Sequence, residues 1–178
     1  VPLVAAYEAQ SDPKKIRRIT RMGLWMSVLY TGSVIACFLN SENILIGIGQ
    51  SFEIAKYAGD YLEIMGFGLL PALLVVTLRS FLTGLKHTQI ILWVTLVGLP
   101  IKILLNWIFI FGNLGMPELG VKGAAATTAA IHITMLLLLI FYIQGNLWSY
   151  GVFNRLWRLD YLYLAKIFKL GLPIGLTY

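Results

Sequence analysis

Charged side chains are scarce in this 178-residue sequence. Asp, Glu, Lys and Arg make up 12% of it, whereas hydrophobic residues make up 58%. A soluble domain usually carries about 25% charged residues, so roughly half of the expected charge is missing. A soluble fold cannot bury so much apolar surface, but a lipid bilayer requires it. The composition therefore excludes an ordinary soluble domain and predicts a membrane protein.

Motifs that carry chemistry are also missing. The single cysteine, Cys37, lies in an apolar segment, which excludes a disulfide framework or a thiolate metal site. The sequence has no phosphate-binding Gly-Lys-Ser/Thr loop, no His-Glu-x-x-His pair and no Gly-x-Ser-x-Gly turn. We therefore expect no enzyme activity, no cofactor and no bound metal. Because the chain starts without Met or a signal-peptide pattern and stops within an apolar run, we also expect an internal fragment.

Four apolar segments are each long enough to cross a bilayer. About 20 residues of helix cover the hydrocarbon core, and these runs lack the alternation of a barrel strand. We therefore predict an all-α polytopic membrane protein. The predicted spans are Met22–Leu39, Tyr61–Gly84, Ile90–Phe111 and Val121–Ile143, with partial helices before Tyr7 and from about Leu164. The mixed stretch Ser51–Asp60 can extend the second span at the interface.

The loops between these spans alternate in charge. Lys and Arg residues crowd the loop before the first span, and Lys86 and His87 follow the second span. Further basic residues follow the fourth span, whereas the two remaining loops are not basic. This alternation fits the positive-inside rule, so we predict that both chain ends lie on the cytoplasmic side of a bacterial inner membrane. The net charge of +6 then reflects membrane topology, and we expect no nucleic-acid partner.

A polar stripe runs along the third span. Lys102 lies about nine residues from the outer end, roughly 14 Å, which is too deep for simple snorkelling. Asn106 follows one turn later on the same face, and Thr95 precedes Lys102 by about two turns. Intramembrane ionisable residues are usually functional, so we predict that this stripe lines a cavity. The structural alternative is an interhelical hydrogen bond or ion pair.

Two further polar residues lie in the spans. Arg79 is only about 8 Å from the end of its helix, so we expect its side chain to reach the lipid headgroups. His132 shares a helical face with Thr128 and is a candidate for the cation or proton path. A neutral, hydrogen-bonded imidazole is the structural alternative, and it is favoured because no relay partner is visible.

Several stretches of the sequence resemble the multidrug and toxin extrusion (MATE) family, particularly its bacterial NorM-like branch. The most specific is Leu105-Asn-Trp-Ile-Phe-Ile-Phe-Gly112 together with Gly115-Met-Pro-Glu-Leu-Gly120-Val-Lys-Gly-Ala124, which is similar to the family's junction between its fifth and sixth helices. Leu78-Arg-Ser-Phe-Leu-Thr-Gly-Leu85 resembles the end of its fourth helix. Residues 2–23 and 169–175 are similar to the loop after its second helix and to the start of its seventh helix.

The resemblance implies part of a twelve-helix fold with two six-helix lobes around a central cavity. The chain would hold helices three to six and pieces of helices two and seven. Residues 1–143 would belong to the N-terminal lobe, 144–166 to a cytoplasmic linker, and 167–178 to the C-terminal lobe. The implied activity is antiport of H⁺ or Na⁺ against cationic or amphiphilic drugs by a monomer. The family's cation-binding carboxylates would lie on helices outside this chain.

The candidate site residues Asn106 and Lys102 differ in how well they match the family. Asn106 matches a family asparagine that lines the cavity of the N-terminal lobe. Many relatives carry an uncharged polar residue where this sequence has Lys102, and a fixed positive charge there repels Na⁺. Two other functions stay open: a lipid-linked oligosaccharide or lipid II flippase, which a cavity lysine suits, and a non-transporting membrane subunit in which Lys102 and Asn106 only join helices.

Overall fold

The computed structural model describes residues 2–115 and 117–176, and this part of the chain is helical with short connections. Its α-helices are α1 (Pro2–Ala9), α2 (Pro13–Leu39), α3 (Ser41–Gly47), α4 (Phe52–Gly84), α5 (Thr88–Phe111), α6 (Gly120–Asn146) and α7 (Tyr161–Leu176). Single 3-10 turns cover Asn113–Gly115 and Trp148–Tyr150. Four of the helices, α2, α4, α5 and α6, are long and apolar enough to cross a membrane. The all-α, four-span prediction is therefore confirmed.

Local sequence signals explain where the long helices begin and end. Asp12 caps α2, because its carboxylate accepts a hydrogen bond from the Lys15 backbone over 3.1 Å and Pro13 occupies the first helical position. The side-chain contact with the Lys15 ammonium, and then this backbone bond, hold the pKa of Asp12 below its ordinary value. At the other end of the bundle, Gly112 adopts a left-handed conformation with φ of 67° and terminates α5.

The four long helices form one layer in the order α2, α4, α6, α5. The helix α4 packs on α2 at one side and on α6 at the other, and α5 packs mainly on α6. Because one helix separates α4 from α6 in the chain, the two run parallel, whereas α5 runs antiparallel to α6. The buried core lies at one end of this layer, where the start of α2 meets the ends of α4 and α6 and includes Met22, Phe81 and Leu139. This end also carries the basic loops.

Polar contacts tie the short helices to the basic end of the bundle. Lys166 of α7 donates a hydrogen bond to the Tyr7 hydroxyl of α1 over 2.8 Å. The Tyr150 hydroxyl donates to the Glu8 carboxylate over 3.2 Å. Burial, and then the Glu8 carboxylate, raise the pKa of Tyr150 above its ordinary value. The His87 ring nitrogen also lies 3.3 Å from the Tyr142 hydroxyl near the end of α6, so the three basic segments lie at the same end of the helices, as the charge alternation predicted.

Several boundaries differ from the sequence-based expectation. The second span starts at Phe52, so residues 52–60 do extend it as a helix. The expected turn after Leu39 contains the short helix α3. The helix α6 ends at Asn146 and the last helix begins at Tyr161, before the expected Leu164, so the non-α-helical connection is 147–160. The linker 144–166 between two lobes stays a prediction. Of the predicted lobe segment 167–178, the last two residues, like Met116 in the loop motif, lie outside the described residues.

Small residues allow the helices of this layer to approach closely. A Cβ atom at Gly123 of α6 would lie 2.4 Å from the Phe109 carbonyl oxygen of α5, a backbone atom that cannot rotate away. A Cβ atom at Gly68 of α4 would lie 3.0 Å from that of Ala129 in α6. Apolar burial gives helices in lipid little driving force to associate, so such close contacts carry much of the packing energy.

We predict that Gly123→Ala destabilises the complete gene product, because the new methyl group meets backbone and forces α5 and α6 apart. The expected loss is about 2 kcal/mol of unfolding free energy, typical of overpacking. Gly32→Ala is the matched control, since a Cβ atom at Gly32 of α2 has no neighbour within 4 Å. Thermal unfolding of the two variants in detergent measures the difference. Equal midpoints would contradict the close approach of α5 to α6.

Candidate functional site

A hydrogen bond joins α4 to α5 within the predicted membrane region. The Arg79 guanidinium donates from Nη2 to Thr95 Oγ1 over 2.9 Å and lies 3.8 Å from the Met135 sulfur of α6. The Thr95 hydroxyl in turn donates to the Ile91 carbonyl over 2.8 Å. Arg79 therefore reaches across α6 towards α5, and its Nε is buried without a hydrogen-bond partner among the described residues.

This arrangement corrects the expected position of Arg79. The depth of Arg79 in its span predicted that the guanidinium reaches the lipid headgroups, and this prediction is wrong because the guanidinium binds Thr95. The connection between α4 and α5 has only three residues, 85–87, so the two helices leave from the same end of the bundle. Arg79 lies five residues before that turn and Thr95 seven residues after the start of α5, about 8 and 11 Å from their helix ends. The side chains consequently meet at similar depth.

Helical spacing places Lys102 and His132 near the two side chains that Arg79 contacts. Lys102 follows Thr95 by two turns on α5, and His132 precedes Met135 by three residues on α6. The Lys102 side chain is exposed among the described residues, and His132 is partly buried. Thr128, one turn before His132 on α6, donates its hydroxyl to the Ala124 carbonyl over 2.9 Å. All five predicted site residues lie on α5 or α6, and helical spacing puts Lys102, His132 and Thr128 on the faces that Arg79 reaches.

Asn106 occupies the far end of the polar stripe on α5. It is partly buried and shares its helical face with Lys102, four residues earlier. The stripe borders the contact between α5 and α6, where Val94 and Gly98 are buried. Whether Asn106 and the other stripe residues line a path for cations or substrate stays a prediction.

The polar side of the layer carries an excess of positive charge. The ion pairs among the described residues are Lys15–Asp12, Arg18–Asp160 and Lys122–Asp60. None of them includes Lys102 or Arg79. Two cationic groups within one membrane-spanning layer are costly unless water, substrate or an acid from another helix compensates them.

Sequence reasoning missed Arg79 as a member of this site. The distance of Arg79 from the helix end gave the correct depth. The direction in which the side chain leaves the helix, however, decides whether it extends to the lipid headgroups or to a neighbouring helix. The signal that could have placed it was the short α4–α5 connection, which brings residues at equal distances from the turn into register.

The fold and its polar side define a multi-pass, all-α membrane protein. Comparison with known proteins then identifies its family: the MatE family model matches residues 1–108, and the chain belongs to this family. The predicted membership, and with it the assignment to part of a MATE fold, is thereby confirmed.

Curated relatives match nearly the whole chain. It is 36% identical over 179 aligned residues to a protein of Agrobacterium fabrum and 38% identical to one of Rhizobium meliloti, in each case over 99% of this chain. A protein of Haemophilus ducreyi is 36% identical over 98% of the chain. All three are described as probable multidrug resistance protein NorM. The chain spans 38% of the length of each of these relatives.

We predict that Thr95→Val lowers the thermal stability of the complete gene product, because the Arg79 guanidinium loses its acceptor. Hydrogen bonds between membrane helices are worth about 0.6 kcal/mol on average, and a charged donor raises this value, so we expect a loss of about 1 kcal/mol. Thr95→Ser keeps the hydroxyl and should unfold like the parent protein. If Val and Ser variants unfold at the same temperature, the Arg79–Thr95 bond contributes nothing.

Proposed function

We propose that the complete protein exports small cationic or amphiphilic drugs across the bacterial inner membrane in exchange for an inward-moving H⁺ or Na⁺. The observation that carries this proposal is the similarity to probable multidrug resistance proteins at 36–38% identity along 99% of the chain. Exchange by a protein of this kind depends on alternating access and needs no ATP hydrolysis. We propose a monomer as the functional unit, with residues 1–143 as part of its N-terminal lobe.

The distribution of charge supports a topology with both chain ends in the cytoplasm. The Arg21 guanidinium donates to the Arg155 carbonyl over 3.2 Å, and Lys166 donates to Tyr7. Basic segments from the beginning and the end of the chain thus lie together at one end of the helix bundle. An excess of Lys and Arg favours the cytoplasmic side for that end.

The cationic groups of the polar side favour H⁺ over Na⁺ as the coupling ion. A sodium site needs several oxygen ligands, whereas Lys102 and Arg79 present positive charge on the side of the layer where Thr95 and Asn106 lie. Repulsion between like charges grows as the dielectric constant falls, so it is strongest in a site from which water is excluded. We propose that Thr95, Lys102, Asn106, His132 and Thr128 border the path of substrate or cation. An acidic group from outside this chain would compensate Lys102.

A lipid-linked oligosaccharide or lipid II flippase is the second candidate. The specific observation in its favour is that Arg79 turns into the layer, which adds a guanidinium to the side that already holds Lys102. Two fixed positive charges suit a pyrophosphate headgroup better than a cationic drug. Buried basic residues in the remaining spans of the complete protein would favour the flippase, and buried acidic residues would favour the drug exporter.

Accumulation of ethidium or norfloxacin in an efflux-deficient bacterium distinguishes these functions. Cells that express the complete gene product should accumulate less of either compound than cells with an empty vector. We expect this difference to persist without Na⁺ and to disappear when the proton gradient is collapsed. Normal accumulation despite good membrane expression would contradict drug export and leave the flippase as the better candidate.

Lys102→Gln tests whether the polar side takes part in transport. Loss of the positive charge should change the rate or the ion dependence of efflux, because charge in the path acts on both substrate and coupling ion. Lys56→Gln is the matched control, since Lys56 is exposed near the start of α4. If Lys102→Gln lowers only the amount of protein in the membrane, the lysine has a structural role, as in a non-transporting subunit.

A further inference from the structure

Five arginines surround a cavity at the basic end of the bundle. They come from the first turns of α2 and from the connection between α6 and α7, and they are Arg17, Arg18, Arg21, Arg155 and Arg158. The cavity has a volume of about 370 Å³ and is completed by Asn154, Leu159 and Asp160. Among the described residues, Asp160 is the only acid in its wall, and it lies 3.9 Å from Arg18, at the limit of an ion pair. The wall therefore carries a net charge of +4, from five guanidinium groups and one carboxylate.

Arg21 shows that this cavity is more than a solvated basic surface. The residue is only 6% exposed, yet its Nε has no hydrogen-bond partner among the described residues. Its Nη1 donates to the Arg155 carbonyl over 3.2 Å. Arg155 holds that carbonyl in place with a left-handed backbone, at φ of 57°, which costs a non-glycine residue about 1 kcal/mol. A buried guanidinium with a free donor is costly unless an anion satisfies it.

An apolar groove starts beside the arginine cavity and continues along the predicted span. Its walls include Leu24, Trp25 and Val28 of α2, Leu74 of α4, Ile140 of α6 and Leu156 of the connection. The groove measures about 360 Å³. Trp25 lies one turn after Arg21 on the same face of α2, and its indole donates to the Leu156 carbonyl over 2.7 Å. Leu156 also follows Arg155 directly. The cavity and the groove are thus neighbours at the predicted start of the first span, where Arg21 precedes Met22.

We propose that this pair of features binds an anionic phospholipid, with its phosphate in the arginine cavity and an acyl chain in the apolar groove. Guanidinium groups bind phosphate oxygens in pairs, and basic pockets between membrane helices on the cytoplasmic side suit acidic headgroups. A soluble phosphate ion would satisfy Arg21 equally well but would leave the groove unfilled. The groove therefore favours a lipid over a free anion.

Native mass spectrometry of the complete gene product in mild detergent tests this proposal. The probes are phosphatidylglycerol with long and with short acyl chains, phosphatidylcholine with the same long chains, and inorganic phosphate. We expect long-chain phosphatidylglycerol to bind roughly tenfold or more tightly than each of the other three. Equal binding of phosphatidylglycerol and phosphatidylcholine would overturn the role of the arginines. Binding of inorganic phosphate as tight as that of long-chain phosphatidylglycerol would contradict a lipid as the ligand, and absence of binding of all four probes would overturn the site itself.

A pair of double variants separates the site from general surface charge. Arg155→Gln with Arg158→Gln removes two exposed cavity arginines and spares the buried Arg21. Lys14→Gln with Lys86→Gln removes the same charge at the same end of the bundle, outside the cavity. The first pair should weaken phosphatidylglycerol binding by roughly tenfold or more, and the second by no more than about twofold. Both should unfold like the parent protein without lipid. Equal weakening by the two pairs would mean that lipid binding depends only on the overall positive charge at this end of the bundle and not on the cavity.

Discussion

Hydrocarbon offers a peptide group no hydrogen-bond partner, and this constraint shapes every level of the structure. The long apolar segments can satisfy their backbone only as helices. Once formed, these helices gain little from apolar burial in lipid, so they associate where small residues let backbones approach. The contact of Gly123 with the Phe109 carbonyl and that of Gly68 with Ala129 are the clearest cases. They fix α6 between α4 and α5, and this position in turn places the polar side chains of three helices on one side of the layer.

The same constraint explains why the few polar residues within the spans differ in how their side chains find hydrogen-bond partners. Thr127, Thr128 and Thr134 of α6 satisfy their hydroxyls within their own helix. Arg79 and Lys102 have no such local solution, because a cation needs an acceptor, water or a counter-charge. Arg79 finds Thr95 on a neighbouring helix. Lys102 remains exposed among the described residues and has no ion pair there.

Sequence patterns predicted the helices well because length and hydropathy dominate their formation. The four spans, the extension before Tyr61 and the shared end of the basic loops all follow from composition and charge. The direction of individual side chains was harder to predict. The headgroup assignment of Arg79 failed because depth along a helix says nothing about which neighbour the side chain meets. The arginine cavity was also missed, since Arg21 and Arg155 are 134 positions apart and only the return of the chain after α6 brings them together.

The central claim is that the Thr95–Lys102–Asn106 face of α5 borders a water-filled path through the membrane. Substituted-cysteine accessibility in a Cys37→Ser background tests it most directly, because Cys37 is exposed and would otherwise react. Asn106→Cys lies on the polar face, whereas Leu104→Cys lies about 200° away around the same helix. A charged, membrane-impermeant thiol reagent should modify the first variant, more slowly when ethidium is present, and should leave the second unmodified. Equal reactivity at the two positions, or none at position 106, would contradict the account.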